Sequence, residues 1–366
     1  MTPSIGISIY TGSDLSSSVL NSNVTMLRRD SSASESGSRN TYPIPEVSKS
    51  VTRWIKPFLA ASPDSSPIFG LQMWGPGTTD TSTCLYCGTT SSTSPPSFNT
   101  SGSATTNFTD YCASAKWAFD SGSYSASGPT DRYVIFQLVT ASPLTTGSRT
   151  QELVNYQWSQ TFYGEAEDGF IYGLGAAYAT ARNTASAAKT TEGSAAIGQV
   201  LVGGVYGVYR SYLSFDTSEI PSGASIVSAS LFVAASLNAA ACSFTVEAYR
   251  FNWDESLGGS DIETNYDGAY GATASLEGTL RDTNDGWVSG TYYSIPITAS
   301  GINSGCDTKF ALVSSCDVAG TEASTLEYVL IHDSDSTASL IPYLLVNTGC
   351  SFTIDATLSK RRRRWF

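Results

Sequence analysis

The chain has 366 residues and a formal net charge of −12, yet only 14% of its residues are charged. This composition excludes a coiled coil or long helical bundle, which would be rich in Glu, Lys, Leu and Arg. It also argues against nucleic-acid binding, because an acidic surface repels phosphates. A hydrophobic fraction of 41% with 20 Tyr is sufficient to bury a core, so we expect a folded protein.

The first part of the chain predicts an arm followed by a β-rich domain. Residues 1–40 are rich in Ser and predict an extended arm or surface loops. Alternating or continuous apolar runs then predict strands at residues 51–56, 68–74, 133–139 and 152–158. Between them, residues 78–130 are rich in Thr, Ser, Gly and Pro and predict long loops.

The second part of the chain predicts short strands at regular spacing with turns between them, which is typical of a sandwich or jelly roll. These strands are expected at residues 209–215, 226–233, 244–250, 292–295, 310–313, 326–331 and 341–346. The Ala-rich residues 176–189 have no apolar face, so no helix is predicted there.

The predicted fold is therefore all-β, with two β-sandwich or jelly-roll domains, an extended N-terminal arm and a short basic C-terminal tail. The predicted boundaries are 1–40 for the arm, 41–162 and 163–350 for the two domains, and 351–366 for the tail. No run approaches the roughly 18 apolar residues of a membrane span. The N-terminus also lacks the basic start and apolar block of a signal peptide, so we expect neither membrane insertion nor general export.

The seven cysteines leave at least one thiol unpaired within the chain. Cys84 and Cys87 form a C-x-x-C, but a zinc site would need two further ligands, for which Cys112 and His332 are the candidates. A redox motif is also disfavoured, because no helix pattern follows. Cys306 and Cys316 flank an apolar run and are either bridged or simply buried. We predict no cofactor and no structural metal.

Candidate catalytic groups do not form a recognisable pattern. His332 is the only His and no G-x-S-x-G elbow occurs, so a Ser-His-Asp arrangement is disfavoured. Glycosidase chemistry would need two converging carboxylates, from the acidic residues Glu165, Glu167, Asp168, Asp254 and Glu255. A loop Ca²⁺ could use Asp333 with Asp335 or Asp282 with Asp285, but solvated turn carboxylates are the favoured explanation, because Asp is common in turns. We predict that the chain is not an enzyme.

The C-terminus combines positive charge with aromatic side chains. It ends in a basic run followed by two aromatics, Arg361, Arg362, Arg363, Arg364, Trp365 and Phe366. One interpretation is a solvated terminus. The other is an anchor, in which the guanidinium groups pair with carboxylates of a partner while the aromatic rings fill an apolar pocket.

The stretch around residues 209–235 resembles the signature of DNRLRE-type β-sandwich domains, which occur in surface, cell-wall and some phage proteins. Arg210 opens a strand that ends in Phe215-Asp216, an Ile-Pro-x-Gly-Ala turn begins at Ile220, and the next strand contains Ser-Ala-x-Leu at residues 228–231. Residues 249–257 resemble a later segment of that family, and residues 167–171 echo its opening strand only loosely. The resemblance covers about half of the chain and implies a β-sandwich.

The first domain resembles a pattern seen in structural proteins of tailed bacteriophages. Residues 54–56, 68–74, 131–138 and 153–158 follow the order of its strands. Together the two resemblances imply a virion protein that assembles in the host cytoplasm: a capsid-associated decoration or minor capsid protein, or a tail component. The implied partners are other virion proteins and further copies of the chain, without nucleic acid or membrane.

A second interpretation keeps the fold but changes the role. Exposed aromatic rings can stack on sugars, so the chain could be a carbohydrate-binding adhesion module, with Trp253 and Trp287 as the candidate stacking residues.

Overall fold

A computed structural model describes residues 157–220, 224–253, 256–280 and 286–349 with their side chains, as well as residues 68–70 and 72. For the remaining strands given below it describes the backbone alone. The described elements are twenty-three strands, two 3₁₀ turns and three short α-helices. None of the helices in the described part of the chain is long and apolar enough to cross a membrane.

The strands before residue 164 are β1 (Ile9–Thr11), β2 (Ser17–Val19), β3 (Ser50–Ile55), β4 (Phe58–Leu59), β5 (Ile68–Trp74), β6 (Thr83–Thr89), β7 (Thr109–Asp110), β8 (Trp117–Ala118), β9 (Ser123–Tyr124), β10 (Gly128–Pro129), β11 (Val134–Thr140) and β12 (Glu152–Tyr163). Those that follow are β13 (Gly169–Gly175), β14 (Ala187–Lys189), β15 (Ser194–Val202), β16 (Val205–Phe215), β17 (Ser225–Asn238), β18 (Val246–Arg250), β19 (Ser275–Leu280), β20 (Tyr292–Ile297), β21 (Thr308–Ser314), β22 (Leu326–His332) and β23 (Tyr343–Ile354). The helices are α1 (Tyr178–Asn183), α2 (Ile262–Gly268) and α3 (Ser315–Ala319).

The chain folds as two compact units, one of residues 1–159 with 349–366 and one of residues 160–348. Within the first unit, an antiparallel four-stranded sheet has the strand order β3-β11-β6-β7. Strand β5 pairs with the short strands β8 and β9. The strands predicted at residues 51–56, 68–74 and 133–139 are confirmed as β3, β5 and β11. Strand β6 was missed, because its Thr- and Cys-containing sequence lies within a stretch of loop composition.

The second unit is organised around β16, a long strand with three antiparallel neighbours. One edge of β16 pairs with β13, while the other pairs with β15 near its start and with β21 near its end. Beyond these strands, β22 follows β15 and β18 follows β21. The β15–β16 hairpin turns at Gly203 and Gly204, whose φ values of 60° and 80° fit a two-residue type I′ turn. The Gly-Gly pair thus serves the hairpin.

The core of this unit is a layer of apolar side chains buried between strands on two sides. Leu213 and Phe215 of β16 and Phe310 and Leu312 of β21 pack in one cluster with residues of β17, β20 and β23. Their burial removes apolar surface from water, at roughly 25 cal/mol for each Å². The all-β prediction is confirmed, and this cluster is the interior of a β-sandwich.

A second apolar cluster covers the opposite face of β16 and β21. Tyr212, Ala311 and Val313 pack there against Phe251, Trp253 and Tyr266, the last of which lies in α2. All seven residues of β21 are buried, as expected for a strand covered on both faces. The sequence prediction of no helix in residues 176–189 was wrong, because α1 forms there and buries Ala181. Each helix has at most seven residues, too few to show an apolar periodicity.

Candidate functional site

The most elaborate polar cluster of the described residues is centred on Arg210 of β16, which is 1% exposed. Its Nε lies 2.7 Å from Asp317 Oδ2, and its Nη2 lies 3.1 Å from Asp317 Oδ1. Its Nη1 donates to the carbonyl oxygen of Tyr266 at 2.6 Å, and its Nη2 also donates to that of Arg182 at 2.9 Å. The guanidinium therefore binds to α1, α2 and α3 at once.

Aromatic rings enclose this ion pair. The Arg210 Cζ lies 3.8 Å from the ring centroid of Tyr266 and 4.8 Å from that of Tyr270. Burial disfavours the charged guanidinium, but the facing carboxylate of Asp317 outweighs it, so that the pKa of Arg210 lies above its usual value. Arg210, to which the sequence resemblance drew attention, therefore holds the helices to the sheet, and its burial leaves no room for a ligand at the guanidinium.

Two of the sequence-predicted carboxylates meet at Ser214. The Ser214 amide donates to Asp168 Oδ1 at 2.6 Å, and its hydroxyl donates to Glu165 Oε2 at 2.7 Å. Burial raises the pKa of Asp168 well above its usual value and raises that of Glu165 as well, with the Ser214 hydrogen bonds opposing the shift. The two carboxylates of a glycosidase face each other across a space that admits a sugar. Here both carboxylates bind Ser214 instead, and these bonds stabilise the loop before β13.

Of the other acidic glycosidase candidates, one contacts a lysine and the rest lie outside the described residues. Glu167 Oε2 lies 3.5 Å from Lys309 Nζ, which also donates to the Trp253 carbonyl oxygen at 3.3 Å. Asp254 and Glu255 lie outside the described residues, as do Asp282 and Asp285. Among the residues that are described, no group of three or more His, Cys, Asp or Glu is placed to hold a metal ion.

His332 is the last residue of β22 and is half-buried. Its Nδ1 lies 2.7 Å from the hydroxyl of Ser336, which donates in turn to the Gly193 carbonyl oxygen at 2.5 Å. Because the Ser336 proton is used in that bond, the imidazole Nδ1 acts as the donor. This geometry links two turns and does not activate the serine as a nucleophile.

Asp333 follows as a buried turn carboxylate. Its Oδ1 accepts the amide of Asp335 at 3.1 Å, while its Oδ2 has no hydrogen-bond partner among the described residues. Burial raises the pKa of Asp333 to about 6, and the nearby charge of Asp335 adds to the increase. Asp333 and Asp335, which the sequence analysis considered as Ca²⁺ ligands, thus form a turn in which the Asp333 carboxylate accepts the Asp335 amide.

The buried carboxyl of Asp333 predicts a pH-dependent stability. The native state binds its proton more tightly than the unfolded chain, whose Asp pKa is about 3.9. This contribution is therefore complete below about pH 4 and is lost as the pH rises through 6. The Asp333→Asn side chain does not titrate, so its stability does not fall in this way. Between pH 4 and pH 8, we therefore expect the free energy of unfolding of the variant to rise relative to that of the wild type by up to roughly 3 kcal/mol.

Urea unfolding at four pH values measures this difference. Asp216→Asn is the matched control, since Asp216 Oδ1 accepts the Ser218 amide in a similar turn but is exposed. If the free energy of unfolding changes with pH in the same way for wild type and Asp333→Asn, the buried Asp333 carboxyl is not the cause of the pH dependence.

A row of aromatic rings crosses the sheet of the second unit. We call Phe170, Tyr172, Tyr209 and Tyr328 the aromatic row. The ring centroid of Tyr209 lies 6.1 Å from that of Phe170, 5.9 Å from Tyr172 and 6.0 Å from Tyr328. All four side chains are half-buried. Burial raises the pKa of the Tyr209 phenol, and its neighbours Tyr328 and Tyr172 raise it further, so the central ring of the row is uncharged at neutral pH.

A glycine allows the row to continue across β15. Gly198 is paired with Tyr209 on one side and with Tyr328 on the other, and the two rings meet beside it. Its φ of 126° is rare for residues with a side chain, and a Cβ there would collide with the carbonyl oxygen of Glu327. Leu174, which is 45% exposed, lies beside Gly207 together with the Tyr209 hydroxyl. The sequence analysis predicted the strand of Tyr209 but missed the row, because rings from three separate strands form it.

A small polar cleft lies elsewhere on the second unit. It has a volume of about 380 Å³, and its lining includes Arg250, Asn303, Asp307 and Lys309. Arg250 Nη1 donates to the Ser300 carbonyl oxygen at 2.5 Å. Both cations of the cleft are therefore held by groups of the chain itself.

The residues named for sugar stacking are not both accessible. Trp253 is 2% exposed, and its ring packs edge-on against Tyr212 at a centroid distance of 5.4 Å. Its proposed role in stacking was therefore wrong. Trp287 is half-buried and stacks on Tyr293, with centroids 5.0 Å apart and planes 4° apart.

The remaining predicted sites are not in the described part. Arg361–Arg364, Trp365 and Phe366 lie outside the described residues, and so do the side chains of Cys84, Cys87 and Cys112. Cys306 and Cys316 are not bridged to each other, since both carry free thiols.

Comparisons with known proteins add little. No protein-family model matches the chain, and no curated protein matches it. Two of the solved structures that match are those of the Gx and Gt strains of infectious bursal disease virus, each 10% identical. The first alignment covers 99% of this chain and 79% of that chain with a TM-score of 0.16, and the second covers 99% and 78% with a TM-score of 0.11. TM-scores this low do not show a shared fold.

Proposed function

We propose that this chain is a non-enzymatic structural protein that packs against other protein chains through the aromatic row. The observation that carries the proposal is the row itself, four contiguous half-buried rings with the exposed Leu174 beside them. Aromatic residues are enriched at the centres of protein interfaces and charged residues are depleted there. Tyr supplies a large contact area at low conformational cost, because its side chain has only two rotatable torsions.

The polar groups of the second unit support the non-enzymatic part of the proposal. The Asp317 carboxylate is neutralised by Arg210, and Asp168 and Glu165 bind Ser214. These contacts hold loops and helices to the sheet. A building block of an assembly needs this kind of rigidity, since flexible parts would lose entropy when they pack.

The finer assignment is a virion component, a capsid-associated decoration or minor capsid protein that assembles in the host cytoplasm. Its support is the sequence resemblance to structural proteins of tailed bacteriophages. Partners in this proposal are other virion proteins and further copies of the chain. The C-terminal residues Arg361–Arg364, Trp365 and Phe366 would add a second contact, with cationic groups on partner carboxylates and rings in an apolar pocket.

Removing two rings from the row is expected to weaken self-association. In the double variant Tyr209→Ser, Tyr328→Ser, the rings at the centre and one end of the row are lost. Because aromatic anchors contribute a large part of interface affinity, we expect the dissociation constant to rise at least about tenfold. Sedimentation velocity over a concentration series measures this change.

Tyr163→Ser is the matched control, since Tyr163 is 58% exposed and lies outside the row. It should associate as the wild type does. A wild-type chain that remains monomeric at every concentration would contradict the self-association, and a double variant that associates normally would contradict the role of the row.

A further inference from the structure

Two cysteines of the second unit lie in segments that hydrogen bonds hold side by side. Cys242 follows β17, and Cys316 lies in α3. Three residues after Cys242, the Thr245 amide donates to Ser315 Oγ at 3.0 Å, and the Ser315 amide donates back to the Thr245 carbonyl oxygen at 2.9 Å. On the other side of Cys242, the Ala241 amide donates to the Leu326 carbonyl oxygen at 2.9 Å. Neither segment can move far from the other without breaking these bonds.

Within this frame the two thiols are close enough to interact. Cys316 and the Glu327 carboxylate both act on the pKa of the Cys242 thiol, and Cys242 acts on that of Cys316 in turn. Both thiols are free and half-buried, so small molecules can reach them. A disulfide requires two cysteines whose side chains meet without backbone movement, and the hydrogen bonds between Thr245 and Ser315 hold the two segments in a position that favours such a meeting. Cys242, and not Cys306 as one sequence interpretation allowed, is therefore the candidate partner of Cys316.

We propose that Cys242 and Cys316 form a redox site that closes to an intramolecular disulfide by exchange with a small-molecule disulfide such as oxidised glutathione. The thiolate of one cysteine attacks the small disulfide, forms a mixed disulfide and releases one glutathione thiolate. The thiolate of the other cysteine then attacks the protein sulfur, forms the Cys242–Cys316 bond and releases the second. Two protein thiols are oxidised, one glutathione disulfide is reduced to two thiols, and the two protons go to the released thiolates.

Two features of the pair set its behaviour: the raised thiol pKa values slow the exchange reaction, and the disulfide would stabilise the folded chain. Burial raises the pKa of Cys242 to about 12, with Glu327 adding to the increase, and the same causes raise the pKa of Cys316. Little thiolate exists at neutral pH, so the dithiol persists in a reducing cytoplasm. The bond would close the chain segment that contains β18–β21 and α2, which restricts the unfolded state. An oxidising environment would thus lock the sandwich after the chain has folded.

Peptide mapping of the full-length protein tests the site directly. The chain is equilibrated with oxidised glutathione at pH 8.5, alkylated and cleaved before Asp residues. This cleavage places Cys242 in residues 216–253, Cys316 in residues 307–316, Cys306 in residues 285–306 and Cys350 in residues 335–354. We expect the first two peptides to be recovered as one disulfide-linked species. Recovery of both as separate alkylated or glutathione-bound peptides would overturn the proposal.

A stability measurement separates this pair from the other cysteines. Oxidation should raise the Tm of the wild type by roughly 5–10 °C. The Cys306→Ser variant should show the same increase, because Cys306 is exposed and free, whereas Cys242→Ser should show none. An equal increase in Cys242→Ser and wild type would also overturn the proposal.

Discussion

Replacing Asp317 with Ala is expected to lower the free energy of unfolding by about 3–5 kcal/mol, the usual cost of removing one partner of a buried ion pair. Asp317 is fully buried, and the variant leaves the Arg210 guanidinium without a counter-charge inside the protein. It also removes the carboxylate that Arg182 contacts at 3.3 Å. Both losses act on the region where the three helices meet β16, so the effect exceeds that of an ordinary hydrogen bond.

Denaturant unfolding of Asp317→Ala and of the double variant Arg210→Met, Asp317→Leu measures this. The double variant replaces both charges with apolar groups and should recover much of the lost stability. Glu192→Ala is the matched control, because Glu192 pairs with Lys189 in an exposed salt bridge and should show no measurable change. An Asp317→Ala variant as stable as this control would show that the pair does not hold the helices.

Replacing Phe310 with Ala is expected to lower the free energy of unfolding by about 3–5 kcal/mol. Phe310 is fully buried in β21, and its ring packs edge-on against Phe215 with centroids 6.4 Å apart. The truncation leaves a cavity between the two sides of the sandwich. A rigid core cannot collapse to fill it, which adds to the lost burial of the ring.

Val313→Ala on the same strand tests the second covered face. Val313 is fully buried in the cluster with Trp253 and Tyr266, so its truncation should cost about 1–3 kcal/mol. Leu276→Ala is the control, since Leu276 is 50% exposed and its truncation removes little buried surface. A Val313→Ala variant as stable as Leu276→Ala would mean that β21 is covered on one face only.

The strands could be predicted from sequence where apolar residues alternate or run together. Strand β22 alternates buried and half-buried residues, and β21 is buried throughout, so both patterns were visible in the chain. Strand β15 was missed, and β13 was indicated only by the loose echo at residues 167–171, because Gly, Ala and Ser occupy positions that larger apolar residues would mark. The helices were missed because their stability comes from Arg210 and from the face of β16, which a local pattern does not contain.

The candidate site was less visible than the fold. Arg210 stood out through a sequence resemblance, but its partner Asp317 lies more than a hundred residues away and carries no local signal. The aromatic row depends on the register that places Gly198 between Tyr209 and Tyr328. Trp253 was misjudged for a similar reason, because its sequence neighbours are polar while the side chains that bury it come from β16 and α2.

The most direct test of the central proposal is the amount of this chain on purified particles. Density-gradient-purified virions from cells that express the wild type, the Tyr209→Ser, Tyr328→Ser variant or a chain lacking residues 360–366 would be quantified by mass spectrometry. We expect the wild type in amounts comparable to other structural proteins, with both altered chains reduced. If the three chains are equally abundant on particles, neither the aromatic row nor the C-terminal residues bind a partner there. A wild-type chain found only as a free monomer would contradict the structural role itself.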